Sequence, residues 1–484
     1  MTARRVVVIG HGMAGARLAG ELRRHDPVAE RVAVTVLGDE PHAAYNRVLL
    51  SGVLSGSLEL DAVRMHESDW PTSQRVDLRL GVAVTSLDRA RRRVRLADES
   101  AVAYDALVLA TGARPWLPEV EGLLADRGGL AAGVFAFRTR DDCARIVAEA
   151  RPGMPVAVLG GGLLGLEAAR GLAGRGCLVT VIHPNGHVLD RQIDPAAGHM
   201  LRRILERIGI EFRVGTTAAR YLPGDGLKLA DGGHVAAEMV VVSAGVRAET
   251  DLARAAGLAV DRGVLVDDAL RTNDPRVHAI GDCAQHASTE SGLVQPAFDQ
   301  AAVLAARLTG VDPAARYRGT PIVTRLKARG VELASMGDVH LDVGGEHPSN
   351  VEVIAVQDPA RGRYGKLVLR DERVAGAILL GLPDAAATII QLFDSRAPVP
   401  ADRLGLLLGR ALPAEQLTAT SAAGLADEAL VCRCNSVTKA GIVAAWRTGA
   451  RDVPALATAT RATTGCGGCR AVVGGITDWL ATSA

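Results

Sequence analysis

Four cysteines near the C-terminal end of the sequence form two close pairs. Cys432 and Cys434 are spaced C-x-C, Cys466 and Cys469 are spaced C-x2-C, and 31 residues separate the pairs. Two such pairs can supply the four thiolates that a metal ion or an iron–sulfur cluster requires, and the glycines beside the second pair let backbone amides turn toward sulfur. Zinc is the alternative, although its cysteine pairs are typically C-x2-4-C at both ends. The spacing therefore favours an iron–sulfur cluster.

A glycine-rich turn near the N-terminus has the spacing of a dinucleotide-binding loop. The stretch GHGMAG (residues 10–15) lies between an apolar strand and a segment with helical apolar spacing, and the next strand is followed by two acidic residues. Such a loop provides a tight turn, room for a pyrophosphate at a helix N-terminus and a carboxylate for a ribose hydroxyl. The candidate contacts are Gly10, Gly12, Met13, Ala14, Gly15, Asp39 and Glu40.

The same arrangement recurs at GGGLLG (residues 160–165), so the sequence predicts two dinucleotide cofactors. The second strand of this repeat ends in His183, where an acid normally selects the 2'-hydroxyl of NADH. His183 is interpreted either as a cofactor contact or as a surface histidine without a ligand. Because no arginine follows at once to pair with a 2'-phosphate, NADH is favoured over NADPH. The candidate contacts are Gly160, Gly162, Leu163, Leu164, Gly165 and His183.

Three further apolar strands end in small residues, which let backbone pass close to a flat cofactor. They carry ATG (residues 110–112), AGV (244–246) and AIGD (279–282), and Gly245 is a candidate contact. Taken alone, Asp282 is more often a helix cap or turn residue. The order of these motifs over residues 4–310 resembles that of the two-dinucleotide-binding flavoproteins, in which an NAD domain interrupts the FAD domain. That resemblance implies FAD contacts at Asp39, Val84, Thr111, Gly112, Arg138, Asp282 and Val294.

The remaining cysteines and the segment after the first acidic pair indicate the branch of this superfamily. Residues 36–142 contain no cysteine, which excludes the C-x4-C pair of its disulfide reductases. The stretch GDEPHAAYNRVLLSG (residues 38–52) resembles ferredoxin, rubredoxin and nitrite reductase flavoproteins. Arg47 is then either a flavin or phosphate contact or a solvated surface arginine. Cys143 and Cys177 are interpreted as structural, and Cys283 has no partner cysteine that would suggest a redox role.

The C-terminal segment, residues 430–482, resembles the bacterioferritin-associated-ferredoxin-like 2Fe-2S domain. The resemblance is carried by CRCNSVT and TGCGGC, and it implies a 2Fe-2S cluster held by the four cysteines of the two pairs. The same small domain follows the flavoprotein part of assimilatory nitrite reductase large subunits and of nitrate reductase electron-transfer subunits.

Length and charge agree with a multidomain protein that acts on small molecules or proteins. A chain of 484 residues is too long for one core, and a net charge of +1 without long runs of like charge gives no reason to expect nucleic acid or membrane partners. Without a signal peptide or spanning segment, a cytoplasmic location is expected. The fold class is α/β, with two Rossmann-like FAD and NAD(P) domains, a small α+β interface domain and a small helical 2Fe-2S domain. The predicted domains are FAD-binding (1–115 and 246–312), NAD(P)-binding (116–245), interface (313–410), a linker (411–427) and 2Fe-2S (428–484).

The expected function is electron transfer from NAD(P)H through FAD and a 2Fe-2S cluster to a separate nitrate or nitrite reductase. The sirohaem region of full nitrite reductase subunits is not present in this sequence, so the acceptor is expected to be another protein. The alternatives are a ferredoxin or rubredoxin reductase whose terminal domain carries zinc, an iron-handling reductase that uses the terminal domain for partner docking, and an amino-acid or opine-type dehydrogenase subunit. The intact second glycine motif argues against the last.

Overall fold

Two compact units make up the chain in the computed structural model, which describes residues 3–126, 128–287, 289–290, 292–326, 328, 330–410, 424–433, 435–465 and 467–483. The first unit comprises residues 1–50, 59–116 and 246–320, and the second comprises 51–58, 117–245 and 321–484. The breaks after 116 and 245 lie beside the expected boundaries of the inserted NAD(P) domain. Most of the predicted linker, residues 411–423, lies outside the described residues.

Strands outnumber helices among the described elements, and strand–helix–strand order occurs around the two glycine turns. The strands are β1 (Arg4–Ile9), β2 (Val32–Leu37), β3 (Val76–Arg79), β4 (Val84–Asp88), β5 (Arg93–Leu96), β6 (Ala101–Ala103), β7 (Ala106–Leu109), β8 (Ala113–Pro115), β9 (Val134–Ala136), β10 (Pro155–Leu159), β11 (Leu178–His183), β12 (Ile210–Val214), β13 (Ala218–Leu222), β14 (Gly226–Leu229), β15 (His234–Ala236), β16 (Met239–Val242), β17 (Val246–Ala248), β18 (Val264–Val266), β19 (Val277–Ala279), β20 (Ala284–His286), β21 (Thr289–Glu290), β22 (Val323–Arg325), β23 (Leu333–Gly337), β24 (Val351–Asp358), β25 (Arg363–Arg370), β26 (Arg373–Leu380), β27 (Leu430–Cys432) and β28 (Val437–Thr438).

The helices are mostly short. They are α1 (Met13–His25), α2 (Leu50–Leu54), α3 (Trp70–Ser73), α4 (Arg140–Glu149), α5 (Leu163–Gly174), α6 (Pro195–Glu206), α7 (Asp251–Ala255), α8 (Val294–Leu308), α9 (Pro383–Ser395), α10 (Arg403–Leu407), α11 (Lys439–Arg447), α12 (Val453–Thr460) and α13 (Arg470–Ser483), with 3-10 turns at Arg47–Leu49, Leu60–Val63 and Gly281–Cys283. None of the described helices is long and apolar enough to cross a membrane.

The first unit is built on a parallel sheet with the strand order β19-β7-β1-β2-β3. Val6 and Val8 on β1 are fully buried and share a core with Leu18 and Leu22 of α1 and Leu304 of α8. Strands buried on both faces read as continuous apolar runs, as the sequence of β1 does. The chain leaves β1 toward β2 on one side, and β7 lies on the other, so the carboxyl end of β1 is a topological switch point. Ligands of open α/β sheets bind at such points.

The second unit repeats this plan and adds an antiparallel sheet. Its parallel sheet has the order β12-β11-β10-β16-β9, again with the glycine turn at the carboxyl end of the central strand, β10. The antiparallel sheet, which we term the interface sheet, has the order β22-β23-β26-β25-β24. Helix α9 packs its buried Ala385 and Ile389 into the core beneath this sheet. The alternating apolar pattern of these segments predicts antiparallel strands followed by a helix, and the structure has that arrangement.

The cluster segment, residues 424–483, folds around its own small core. A short hairpin of β27 and β28 precedes α11, α12 and α13. Ile442, Leu456 and Val473, one from each helix, are fully buried in a core that also contains Cys432 and Cys469. Of the four cysteines in the two pairs, the structure describes Cys432 and Cys469. The packing of the three helices places both of them in one core.

A buried ion pair within the second unit joins α6 to the interface sheet. Lys366 Nζ on β25 lies 2.9 Å from Asp194 Oδ2, and the Tyr364 hydroxyl donates to the same oxygen at 2.6 Å. Asp194 Oδ1 also caps α6 by accepting from the N–H of Ala197 at 2.9 Å. Burial favours the neutral carboxyl, but the hydrogen bonds from Tyr364, Ala197 and Lys366 outweigh it, so the pKa of Asp194 is lowered. The carboxylate thus holds two segments of the unit together.

Removing one member of this pair should weaken the second unit strongly. In Asp194→Ala, the Lys366 side chain, which is only 3% exposed, would lose the carboxylate with which it is paired. Such a loss typically costs about 3–5 kcal/mol, so we expect a clearly lower midpoint of urea unfolding. The double variant with Lys366→Met should recover part of the loss, because no buried charge is then left unpaired. A midpoint for Asp194→Ala equal to that of the wild type would contradict this account.

Candidate cofactor and cluster sites

The first glycine turn follows the central strand of the first unit. Gly10 has a φ of +107°, and a Cβ there would come within 2.6 Å of the carbonyl carbon of Ala110, so only glycine fits. A Cβ at Gly15 would come 3.1 Å from the carbonyl carbon of Gly10, whereas a Cβ at Gly12 would meet no atom within 4 Å. Gly10 and Gly15 are thus required by the close packing of strand and helix. Gly12 leaves open space at the start of α1, where backbone N–H groups attract an anion.

The second glycine turn has the same geometry. Gly160 has a φ of +119° and packs so closely that a Cβ would come 2.8 Å from the carbonyl carbon of Ser243. A Cβ at Gly165 would lie 3.0 Å from the carbonyl carbon of Gly160, and one at Gly162 would meet no atom within 4 Å. Each turn therefore offers a space of the kind that a pyrophosphate needs. The predicted contacts in the first turns of the two helices are Met13, Ala14, Leu163 and Leu164.

The two acidic residues after β2, Asp39 and Glu40, have different surroundings. Asp39 is exposed and accepts a hydrogen bond from the next backbone N–H at 3.0 Å. Glu40 forms an ion pair with Arg47 and accepts from the Tyr45 hydroxyl at 2.8 Å. The half-buried guanidinium of Arg47 holds Glu40, and its contact with flavin or phosphate stays a prediction. Asp39 is the exposed carboxylate of the two, and both acidic residues stay predicted contacts.

The predicted contact Asp282 lies in a 3-10 turn beside the start of α1. The turn, Gly281–Cys283, follows β19, and Asp282 is half-buried. The N–H of Gly281 donates to the side-chain oxygen of Gln300 at 2.7 Å, and a Cβ on Gly281 would come 2.8 Å from the Cβ of Ala14. The fold thus brings a residue from near position 280 next to the first glycine turn, as two contacts of one ligand require.

The predicted contacts Thr111 and Gly112 lie beside a second region of open space next to the backbone. The Thr111 hydroxyl donates to the carbonyl of Glu249 at 2.9 Å. Gly112 has a φ of +73°, and a Cβ there would meet no atom within 4 Å. Gly245 is likewise open, with a φ of +122°. Both glycines leave space at strand ends, in keeping with a flat ligand passing close to the backbone.

The other predicted FAD contacts are spread over different elements. Val84 begins β4 and packs against the core formed around Val94, and Val294 begins α8 and is half-buried. Arg138 belongs to the second unit, where its N–H donates to Asp142 at 3.2 Å at the start of α4. Their contacts with FAD stay predictions.

His183 is a buried support for the second glycine turn. It is 6% exposed, its Nδ1 accepts from the N–H of Gly161 at 3.2 Å, and its Nε2 lies 3.1 Å from Asp190 Oδ1. Burial lowers the pKa of the imidazole, although Asp190 opposes this shift. The neutral ring therefore carries its proton on Nε2 and donates it to Asp190. The interpretation as a surface histidine is wrong, and both ring nitrogens are already bonded to groups of the protein.

Replacing His183 should weaken nicotinamide binding through the glycine turn. In His183→Leu the N–H of Gly161 loses its acceptor, and an unsatisfied buried donor costs about 1–3 kcal/mol. We expect the KM for NADH to rise about tenfold, with FAD content unchanged. His234→Leu, which alters an exposed histidine of the same unit, is the control. An unchanged KM in His183→Leu would show that the turn does not depend on this side chain.

The cysteines outside the two pairs are ordinary buried thiols. Burial raises the pKa of Cys143 to about 11 and also raises the pKa of Cys177 and Cys283. Cys283 Sγ donates weakly to the carbonyls of Leu109 and Ile280, at 3.4 and 3.3 Å. Reactive cysteines are exposed and have lowered pKa values. These three have the properties of structural residues.

Cys432 and Cys469 are buried and part of one core. The Nδ2 of Asn435 lies 3.9 Å from Cys432 Sγ and also donates to the carbonyl of Arg461 at 2.6 Å. Asn435 therefore connects the loop of the first cysteine pair to the segment before the second. Sequence reasoning had not assigned it a role, although its position directly after C-x-C is a usable signal.

The other two predicted ligands, Cys434 and Cys466, lie outside the described residues. Among the described residues, no group of three or more His, Cys, Asp or Glu side chains is placed to hold a metal ion. Two cysteine sulfurs in one core, with a side-chain N–H near one of them, are the kind of donors that an iron–sulfur cluster uses. The residues present therefore fit such a cluster, with Cys434 and Cys466 as the remaining predicted ligands.

Comparison with known proteins identifies three segments of the chain. Residues 4–301 match the pyridine nucleotide-disulphide oxidoreductase family, residues 323–397 match the rubredoxin NAD+ reductase C-terminal domain, and residues 430–477 match the BFD-like [2Fe-2S] binding domain. The two units, with their paired glycine turns, thus define a nucleotide-dependent reductase. The chain belongs to the pyridine nucleotide-disulphide oxidoreductase family and carries a 2Fe-2S domain in addition.

Individual relatives agree with this assignment. The nitrite reductase [NAD(P)H] of Bacillus subtilis (strain 168) is 33% identical over 98% of this chain and 57% of its own length. The assimilatory nitrate reductase electron transfer subunit of the same strain is 32% identical over 100% of this chain and 60% of its own length. The chain therefore spans less than two-thirds of these relatives. The structure of a covalent putidaredoxin reductase–putidaredoxin complex has a TM-score of 0.73, at 25% identity over 84% of this chain and 96% of that chain.

The chain is an FAD-dependent oxidoreductase, and its cofactors are FAD, NAD(P)H and a 2Fe-2S cluster. FAD accepts two electrons with a hydride and can release them singly, which is what a one-electron cluster needs. Positioning of the nicotinamide is sufficient for hydride transfer, so no acid–base residue is required for that step. The protein's contribution is to bind, orient and space its cofactors.

Proposed function

We propose that this chain passes electrons from NAD(P)H, by way of FAD and the 2Fe-2S cluster, to a separate nitrate or nitrite reductase. The observation that carries the proposal is the 2Fe-2S domain at residues 430–477, which follows the FAD- and NAD(P)H-binding region in the same chain. One relative that aligns with the whole of this chain is named an electron transfer subunit of assimilatory nitrate reductase. The cytoplasm is the proposed location, because cluster ligands must be reduced thiolates and the cytoplasm keeps thiols reduced.

Within this proposal each group of residues has a defined task. The open spaces at Gly12 and Gly162 receive the pyrophosphates of FAD and NAD(P)H, and Asp39 binds a ribose hydroxyl. Asp282 bonds the chain that connects the flavin ring to its phosphates. The two cysteine pairs hold the cluster. NADH is the preferred donor, because no arginine directly follows His183 to pair with a 2'-phosphate.

The test is electron paramagnetic resonance of anaerobically purified protein before and after NADH is added, with iron and zinc counted on the same sample. A rhombic 2Fe-2S signal that develops with NADH supports the proposed path. Addition of a molybdenum nitrate reductase or a sirohaem nitrite reductase with its substrate should then erase the signal and yield product. Bleached flavin with bound zinc and no such signal would overturn the path, and a signal that neither acceptor erases would overturn the acceptor.

A ferredoxin or rubredoxin reductase is the second candidate. It is favoured by the match of residues 323–397 to the rubredoxin NAD+ reductase C-terminal domain and by the similarity to putidaredoxin reductase. In that case NADH would drive fast reduction of a soluble ferredoxin or rubredoxin even when the cysteine pairs hold zinc. Loss of ferredoxin reduction in a variant without the cluster would argue against it.

A further inference from the structure

The interface sheet and helix α9 contact the cluster segment beside the two cysteine pairs. Arg433, the residue between Cys432 and Cys434, forms an ion pair with Asp394 of α9, and the two side chains are 19% and 36% exposed. Gly468, between Cys466 and Cys469, lies against the guanidinium of Arg325, the last residue of β22. Two independent contacts thus bring charged residues of one segment onto the two loops that carry the predicted ligands.

Gly468 and the guanidinium of Arg325 are in close contact. A Cβ on Gly468 would lie 2.9 Å from Cζ and 3.3 Å from Nε of Arg325. Gly468 does not have a left-handed φ, so its backbone conformation does not call for glycine. A side chain at this position would therefore displace the flexible guanidinium of Arg325 from the loop.

Arg325 is held in place by its strand. This strand pairs with β23, with Arg325 opposite Ala334, and its neighbours Thr324 and Leu326 are buried. The side chain of Arg325 is half-buried, and among the described residues its guanidinium makes neither an ion pair nor a hydrogen bond. A partly desolvated cation beside a cysteine loop is best compensated by negative charge bound in that loop.

We propose that Arg325 completes the cluster site from the interface sheet and raises the reduction potential of the 2Fe-2S cluster. The cluster takes up one electron without making or breaking a bond, so its negative charge increases by one on reduction. A nearby fixed cation stabilises the more negative state, because net charge and hydrogen bonds to sulfur set the potential of such clusters. Gly468 is the residue that lets the guanidinium approach.

The experiment is a redox titration of the full chain with dithionite and mediators, followed by the paramagnetic signal of the reduced cluster. We expect Arg325→Gln to lower the equilibrium constant for cluster reduction about tenfold, a shift of about −59 mV for one electron. Arg325→Lys, which keeps the charge, should recover most of the potential. Arg361→Gln, which removes an exposed arginine from the turn between β24 and β25, should leave it unchanged.

Gly468→Ala tests the same contact from the other side. The new methyl group would push the flexible guanidinium away from the loop, so this variant should lower the potential as Arg325→Gln does. In the double variant the two effects should not add, because either change alone already removes the contact. Additive shifts would overturn the inference.

Other outcomes would also decide against the inference. An unchanged midpoint in Arg325→Gln, or an equal shift in Arg325→Lys, would show that the charge of Arg325 does not act on the cluster. A shift of the same size in Asp394→Asn, which breaks only the second contact, would show that detachment of the cluster segment is the cause. Since dithionite supplies the electrons, none of these results depends on NADH or on the acceptor, so this inference and the proposed function can fail separately.

Discussion

Cys469→Ser is expected to abolish the 2Fe-2S signal while leaving the flavin reducible by NADH. Cys469 is buried in the core of the cluster segment together with Cys432. Loss of groups that only support a metal ligand costs about 10- to 100-fold, so loss of a ligand itself should cost at least about 100-fold in electron delivery to a one-electron acceptor. The measurement is the paramagnetic spectrum after dithionite, together with iron content and the rate of flavin bleaching by NADH.

Cys177→Ser is the matched control for this prediction. Cys177 is 5% exposed, and its thiol donates to the carbonyl of Arg151, a bond that a serine hydroxyl can also make. This variant should keep its iron, its paramagnetic signal and its acceptor activity. If Cys469→Ser kept a full complement of iron and an unchanged signal, the ligand assignment would be wrong.

Gly160→Val is expected to abolish reduction of the flavin by NADH while the flavin and the cluster remain bound. The φ of +119° at Gly160 is strained for any other residue, and the new side chain would collide with the carbonyl group of Ser243. Backbone strain of this kind costs about 1–3 kcal/mol, and displacement of the turn should add a loss of nicotinamide affinity. We expect kcat/KM for NADH to fall by at least about 100-fold, measured by stopped-flow bleaching of the flavin.

Two observations separate loss of NADH binding from general misfolding. FAD content and the dithionite-reduced 2Fe-2S signal should stay at wild-type levels in Gly160→Val, because the first glycine turn and the cluster segment are untouched. Gly186→Ala is the control in the same unit, since a Cβ there would meet no atom within 4 Å. Normal bleaching by NADH in Gly160→Val would mean that the second glycine turn does not bind the nicotinamide cofactor.

The spacing of residues in short motifs was sufficient to predict the features of this protein that depend on backbone geometry over a few residues. Glycine is required at Gly10 and Gly160 because each turn passes close to a neighbouring strand and leaves a helix N-terminus open. The spacing of the motif predicts this requirement in both turns. The same holds for the cysteine pairs, whose short spacing implies a shared ligand. The alternating apolar pattern likewise predicted the antiparallel strands of the interface sheet.

Contacts between side chains far apart in the chain were not predictable in this way. The sequence allowed two interpretations of Arg47, a cofactor contact and a solvated residue. Only the structure shows its ion pair with Glu40. His183 follows a strand, as a cofactor contact would, but the fold buries it against Gly161 and Asp190. Such pairings depend on which loop packs against which strand end, and no spacing rule contains that information.

By itself, the sequence determined that the chain has two dinucleotide-binding turns, and it predicted a four-cysteine site, because each follows from steric and chemical demands within short segments. Only the tertiary structure decided which charged groups surround those sites. The ion pair of Lys366 with Asp194 spans 172 positions, and the contact of Arg325 with Gly468 spans 143 positions. Packing of separate segments creates these contacts, since burial makes an unpaired charge costly and selects the partner that lies nearest in space.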